Sequence, residues 1–342
     1  MGKLLEVRNL SVSYFTYAGE VQSVRNISFD IEKGKTTAIV GESGCGKTVT
    51  AKSIMGLIHK PGKIKENSSI LFEGKEITKY TRKEWDAFRG ENSAMIFQDA
   101  LLALNPTMKI GKQIMENLEN HDRSLTKDEK EKQAAKILEL VEIPDVESCM
   151  KKYPHELSGG MRQRVMIAMA LVTEPKLLIA DEPTTALDVT IQAQIIELMK
   201  RLQEKMGMSI ILITHDLGVV ADIADEIIVM YAGKIVERGT CREIFYEPQH
   251  PYTWALLQSV PRIDTDGQKK LITIEGNVAD MTNPPKGCAF YRRCPYAMNI
   301  CKAYEPETCS KSSNHKVTCW LHDPRADIEG VPFEIRRQQN GE

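Results

Sequence analysis

The run Gly41-Glu42-Ser43-Gly44-Cys45-Gly46-Lys47-Thr48 follows the apolar pair Ile39-Val40, opens a helical stretch and constrains the fold more than any other part of the sequence. It meets the strand, glycine-rich turn and helix requirement of a phosphate-cradling P-loop. The glycines let consecutive backbone N–H groups turn inward onto a β-phosphate, and the helix start adds partial positive charge. Lys47 then reaches the β- and γ-oxygens, while the Thr48 hydroxyl is offered to Mg²⁺. A glycine turn with no ligand is the bland alternative, and the strand-to-helix setting weighs against it.

Short apolar strands suited to burial on both faces recur at Thr36 to Val40, Ala94 to Phe97, Leu177 to Ala180, Ile210 to Ile213 and Ile227 to Met230. Helical patterns separate them, which predicts a largely parallel α/β sheet. The partly alternating Leu4 to Tyr14 and Val24 to Ile31 read as a strand pair ahead of it. Between Leu101 and Val172 the pattern turns helical. There Ala134, Ile137, Leu138 and Val141 recur at helical spacing, on a segment that follows Thr126 as its N-cap.

At 342 residues the chain exceeds a usual single domain. Its formal charge of −2, from 45 basic and 47 acidic side chains, removes the broad electrostatic case for nucleic-acid binding. The N-terminal residues lack the apolar stretch of a signal peptide, and no later apolar run approaches the roughly 18 residues of a membrane span. Glu6 stands where a myristoylation signal wants Ser or Thr. The expectation is a cytosolic chain that meets a membrane only through a protein partner.

Two further motifs carry chemistry. Leu177-Leu178-Ile179-Ala180-Asp181-Glu182 is an apolar strand ending in two carboxylates at the sheet edge where ligands bind. Asp181 is read as holding Mg²⁺ through water and Glu182 as the general base, against the alternative of two solvated acids. In Leu157-Ser158-Gly159-Gly160-Met161-Arg162-Gln163-Arg164, Ser158 is a good N-cap and the glycine pair exposes the N–H groups of a second anion-binding helix start. A structural cap alone explains Ser158, but not the glycines together with the basic and amide side chains that follow.

Together these motifs resemble the nucleotide-binding subunits of ATP-binding-cassette transporters, over residues 4 to about 258. The resemblance implies an α/β fold: a P-loop NTPase core of RecA-like type, an N-terminal antiparallel β-subdomain and an inserted helical signature subdomain at about residues 100–172. It also implies that the signature helix of one subunit caps the γ-phosphate held by another. Ser158, Gly159, Gly160 and Gln163 would then act in trans, with Asp188 in the loop that communicates across the dimer. Gln98 matches the glutamine that touches Mg²⁺ and water, and His215 the switch histidine on the γ-phosphate; alone, each reads as an ordinary loop or packing residue. By this resemblance catalysis rests on Glu182, His215, Gln98 and Lys47, and Mg²⁺ on Thr48, Gln98 and Asp181. Gly41 through Thr48, with Thr50, line the ATP. Tyr14 is the first choice for stacking on adenine, with Phe15 and Tyr17 as rivals.

Beyond residue 258, with Arg262 to Lys270 as a linker, comes a small cysteine-rich extension (259–342). Pro248-Gln249-His250-Pro251-Tyr252-Thr253, Gly287-Cys288-Ala289-Phe290, Arg293-Cys294-Pro295, Cys301 and His315-Lys316-Val317-Thr318-Cys319 resemble the C-terminal region of oligopeptide, dipeptide and nickel importer ATPases. Gln98-Asp99 and Leu104-Asn105-Pro106 agree with that branch, whereas Ala100-Leu101-Leu102 replaces its usual Pro-Met pair. The branch implies a [4Fe–4S] cluster on Cys288, Cys294, Cys301 and Cys319, leaving Cys309 spare. Their spacing is not a standard ferredoxin run, so zinc and uncoordinated core thiols stay open.

The implied activity is ATP hydrolysis coupled to import of dipeptides or oligopeptides, with nickel as the alternative cargo. Implied partners are an identical or paralogous ATPase subunit, two transmembrane permease subunits and, indirectly, an extracellular peptide-binding protein, with no nucleic acid. The site of action is the cytoplasmic face of the membrane. A DNA-directed relative is the rival from another class, but such proteins carry long coiled-coil or zinc-hook insertions, and only about a hundred residues separate Thr48 from Ser158. An exporter subunit is a second rival, more often fused to its membrane domain.

Overall fold

A computed structural model describes residues 2–99, 103–185, 187–259, 274–326 and Val331. The expected linker at Arg262 to Lys270, the Ala100-Leu101-Leu102 replacement and Ala186 lie outside the described residues.

The described strands are β1 (Lys3–Thr16), β2 (Gly19–Glu32), β3 (Thr36–Val40), β4 (Gly62–Ile64), β5 (Ser69–Phe72), β6 (Lys75–Glu76), β7 (Ser93–Ile96), β8 (Leu177–Asp181), β9 (Ser209–Ile213), β10 (Glu226–Tyr231), β11 (Lys234–Thr240), β12 (Thr308–Ser310) and β13 (Lys316–Thr318). The described α-helices are α1 (Lys47–Ile54), α2 (Arg82–Glu91), α3 (Ile110–His121), α4 (Lys127–Leu140), α5 (Val146–Lys151), α6 (Gly159–Leu171), α7 (Val189–Met206), α8 (Leu217–Ile223), α9 (Cys241–Tyr246), α10 (Pro251–Gln258) and α11 (Asn299–Ala303). Contacts divide the chain into two compact units. One comprises Met1–Leu5, Ile31–Thr36 and Phe72–Thr214, the other Glu6–Asp30, Thr37–Leu71 and His215–Glu342.

In the first unit β7, β8 and β9 run parallel, with Ser93 opposite Leu177 and Leu177 opposite Ser209. Every residue of β8 and β9 is buried, as strands covered on both faces require. The helical part of this unit follows its predicted logic. Thr126 and Glu129 form a capping box at the start of α4, and Ala134, Ile137, Leu138 and Val141 are all buried. Opposite polarity ends α7: Asp188 caps its start and Gly207, in the left-handed region at φ 65°, closes it.

In the second unit β3 lies parallel to β10, with Thr37 opposite Glu226 and Val40 opposite Val229. Next to β10 the pairing turns antiparallel through β11, β13 and β12. The cysteine-rich segment thus extends the sheet edge, with Val317 opposite Glu237. The β1–β4 pairing is also antiparallel, Val12 opposite Ile64, and β2 flanks β1. Around β10 the core is aromatic. Tyr231, Tyr252 and Phe290 are each essentially fully buried, with ring centroids 4.8 to 5.3 Å apart.

The apolar strands appear where their pattern predicts them, with ends shifted by one or two residues. Strands β4 to β6 and β11 to β13 were not anticipated. Most are two to four residues long, and β11 (Lys-Ile-Val-Glu-Arg-Gly-Thr) hides a fully buried Glu237 that breaks any hydrophobic alternation.

Candidate nucleotide site

Strand β3 delivers the chain into the P-loop, and two of its glycines are sterically required. Gly41 has φ 149°, and a Cβ there would collide with the Met230 carbonyl oxygen and lie 2.9 Å from Cys45 Sγ. Gly46 has φ 105°, and its Cβ would come within 2.5 Å of the Ser23 carbonyl oxygen. Gly46 also stands at the N-cap of α1 and offers no side-chain cap, so no hydroxyl or carboxylate of its own competes for the helix-start N–H groups. The Lys47 side chain is nearly buried, and its Nζ donates to the carbonyls of Gly41 (2.7 Å) and Glu42 (3.1 Å). Thr50 Oγ1 donates back to the Gly46 carbonyl at 2.9 Å. Burial pushes the Cys45 thiol above its ordinary pKa, which keeps a neutral group inside the loop.

Glu42 is held from two sides. Its backbone N–H donates to the Tyr252 hydroxyl at 2.9 Å, and its carboxylate takes both arms of Arg293, at 2.6 and 3.0 Å. Sequence reasoning placed Glu42 among the ATP contacts and used Tyr252 and Arg293 only as markers of resemblance. The link spans 210 and 251 residues of sequence, a separation no local pattern reveals.

In the first unit the end of β8 holds a second set of groups. Asp181 is buried at 4% exposure. Glu182 sits in the left-handed region at φ 49°, a conformation that costs a non-glycine residue roughly 1–2 kcal/mol. Its N–H is fixed by the Ile213 carbonyl at 2.8 Å, and its carboxylate accepts from Gln98 Nε2 (3.1 Å) and Thr185 Oγ1 (2.9 Å). The structure therefore brings Gln98 and Glu182, two of the residues singled out in the sequence, together and adds Thr185 as a partner. Ser158 caps α6 by accepting from the Met161 N–H at 3.3 Å, and a Cβ on Gly160 would press to 2.9 Å from Ile191. Gln163 is buried with its Nε2 lacking a hydrogen-bond partner among the described residues. Asp188 caps α7 through the Ile191 N–H at 3.0 Å.

In the second unit, His215 precedes Asp216, whose carboxylate caps α8 through the Gly218 N–H at 2.8 Å. The expected adenine platform is less clear-cut in space than in sequence. Tyr14 is half-buried and opposes Gly62 across the β1–β4 pair, whereas Phe15 and Tyr17 present their rings to solvent.

The cysteines of the extension depart from expectation. Among the described residues no three or more His, Cys, Asp or Glu side chains are grouped so as to hold a metal ion. Cys288 and Cys294 lie against the Tyr231, Tyr252 and Phe290 cluster, and Cys319 packs with Val317, Leu321 and Val331. Burial raises Cys288 to about 11 and Cys294 to about 12, and holds Cys319 well above the ordinary thiol range. Neighbouring thiols add to this, Cys319 feeling Cys288, Cys294 and Cys301. The extension is tied down instead by polar contacts. Fully buried Glu237 meets His315 Nε2 at 2.7 Å and accepts from the backbone N–H groups of Gln249 (2.7 Å) and His250 (2.9 Å).

Comparison with known proteins agrees with this arrangement. The family described as ABC transporter matches residues 24–185, and that described as Oligopeptide/dipeptide transporter, C-terminal region, matches residues 236–301. The oligopeptide transport ATP-binding protein OppD of Bacillus subtilis is 56% identical over 99% of this chain and 95% of its own length. The dipeptide transport ATP-binding protein DppD of the same organism is 53% identical over 96% of this chain and 97% of its own. Among solved structures, the dimeric post-hydrolysis state of the ATP-binding cassette MJ0796 with ADP and Pi aligns with a TM-score of 0.62 at 26% identity, covering 70% of this chain and 99% of that one. With both families matched in tandem and full-length relatives above half identity, the chain belongs to the ATP-binding proteins of ABC transporters, in the branch bearing the oligopeptide/dipeptide transporter C-terminal region.

Proposed function

We propose that this chain hydrolyses MgATP to drive import of dipeptides or oligopeptides, working head-to-tail with a second cassette beneath two permease subunits. The observation that carries the reading is the 56% identity to an oligopeptide transport ATP-binding protein across nearly the whole chain. In this reading the P-loop N–H groups and Lys47 hold the β- and γ-phosphates, Thr48, Gln98 and Asp181 hold Mg²⁺, and Glu182 polarises the attacking water. His215 contacts the γ-phosphate. Ser158, Gly159, Gly160 and Gln163, with Asp188 nearby in sequence, serve the nucleotide of the partner cassette; the dimeric MJ0796 structure supports pairing of this kind. Tyr14 stacks on adenine, with the exposed rings of Phe15 and Tyr17 as its rivals.

Residues 1–258 form the ATPase body and 259–342 the extension. The chain works at the cytoplasmic face through its permeases, as its likeness to transport ATP-binding proteins supports. The test is ATPase activity of the reconstituted transporter. Stimulation by binding protein loaded with a short peptide is expected; stimulation by nickel alone reassigns the cargo.

A [4Fe–4S] cluster on Cys288, Cys294, Cys301 and Cys319 belongs to the same reading. Its support is the donor chemistry: soft thiols close enough to raise one another, a cost that a bound cation relieves. When bound, such a group supplies a cross-link for a segment too small to build its own core. An anaerobic preparation is expected to be brown and to bleach with dithionite; a colourless protein with stoichiometric zinc, or with no metal, contradicts it.

A further inference from the structure

The extension reaches the P-loop through one side chain. Arg293 is 5% exposed and spends every N–H it has. Nε donates to the Glu275 carbonyl (3.0 Å), one terminal nitrogen to Glu42 (2.6 Å) and the Tyr231 hydroxyl (3.3 Å), and the other to Glu42 (3.0 Å) and the Ile274 carbonyl (2.9 Å). Its guanidinium also lies 5.7 Å from the Tyr231 ring centroid. Planar, bidentate engagement of this kind fixes geometry as well as charge.

Glu42 is the unusual member of the loop. An acidic side chain beside a site built for a triphosphate opposes the ligand, because its charge repels the phosphates across a partly desolvated gap. Here that charge is answered by a cation from residue 293, and the neighbouring N–H is held by Tyr252. Removing the arginine would leave an uncompensated carboxylate beside the phosphates.

We propose that Arg293 is a positioning residue for ATP: it neutralises Glu42, so that the acidic phosphate-binding loop of this protein takes a triphosphate at full affinity only with the cation that the C-terminal extension supplies. The proposal rests on the P-loop being the ATP site, as read above. Neither partner touches the reacting atoms, so the effect falls on nucleotide affinity and KM rather than on kcat.

The test uses the full-length chain and displacement of a fluorescent ATP analogue by MgATP, with thermal melting recorded for each variant. Arg293→Ala is expected to weaken MgATP about tenfold, equivalent to about 1.4 kcal/mol. Adding Glu42→Gln to that variant removes the stranded charge and is expected to recover most of the loss, and Arg293→Lys retains most of the affinity. A purely structural arginine predicts no such rescue. Unchanged binding in Arg293→Ala, or a double variant as weak as the single, overturns the proposal. Should Arg293→Ala fail to fold, Glu42→Gln alone decides: the freed cation is expected to tighten MgATP, and weaker binding overturns the proposal. Lys47→Ala is the control for the underlying site, since retained binding there defeats the ATP reading itself.

Discussion

The P-loop and the cysteine-rich extension sit in one compact unit, yet they are built in opposite ways. The loop is made by neighbours in sequence: an all-buried strand, three glycines at positive φ, a lysine and a helix start, all within residues 36–54. The extension is made by distant partners. His315 meets Glu237, β13 pairs with β11, and Arg293 meets Glu42. Local construction makes a motif portable and readable, whereas a segment with little core of its own takes its shape from what it docks on.

That contrast is open to experiment. The largest effect is expected where a short motif alone carries the chemistry: Glu182→Gln should lower ATP turnover by about 10²–10⁴-fold while MgATP still binds. Steady-state hydrolysis alongside a binding titration checks this, and near-normal turnover removes Glu182 as the base. Gly41→Ala probes a non-local demand on the loop, the Met230 carbonyl. It should cost on the order of 2 kcal/mol or more of stability and abolish ATP binding, read by denaturant melts and titration.

Acid should act on the docking of the extension. Burial lowers His250 to about 3 and His322 to about 4, and the two meet at the start of α10, where His250 Nδ1 accepts from the Tyr252 N–H at 3.0 Å and His322 Nε2 lies 2.9 Å from the Gln249 carbonyl. Between those values and the ordinary 6.5 the unfolded chain holds protons that the folded chain does not. Stability therefore rises with pH across that window and drains away as pH falls through it. Melting temperature should drop between pH 7 and pH 4.5; a flat profile contradicts the buried neutral pair. The smallest effect is purely local: Thr126→Ala removes the α4 capping box and should cost about 1 kcal/mol, with ATP binding untouched.

How much was legible follows the same division. The all-apolar strands and the Thr126 and Ser158 caps were readable because each is specified by adjacent residues. Gln98 and Glu182 were each readable from motif order, but their hydrogen bond and Thr185 as a third member were not, since a threonine near a carboxylate has no signature of its own. Glu237 carries no local signal of burial and is fully buried, because its partners arrive from residues 249, 250 and 315. The cysteines of the extension were legible only through resemblance. Their spacing is no standard ligand run, and only the fold brings Cys319 close enough to feel Cys288, Cys294 and Cys301.

The central claim is that the triphosphate is closed between the Lys47 loop of one chain and the Ser158 helix of another. Light scattering of the Glu182→Gln chain with and without MgATP, repeated with Ser158→Arg added, tests it directly. The account predicts that nucleotide doubles the mass of the first protein and leaves the second monomeric with its ATP affinity intact. A chain that stays monomeric with MgATP bound, while the wild-type monomer hydrolyses at full rate, would contradict it.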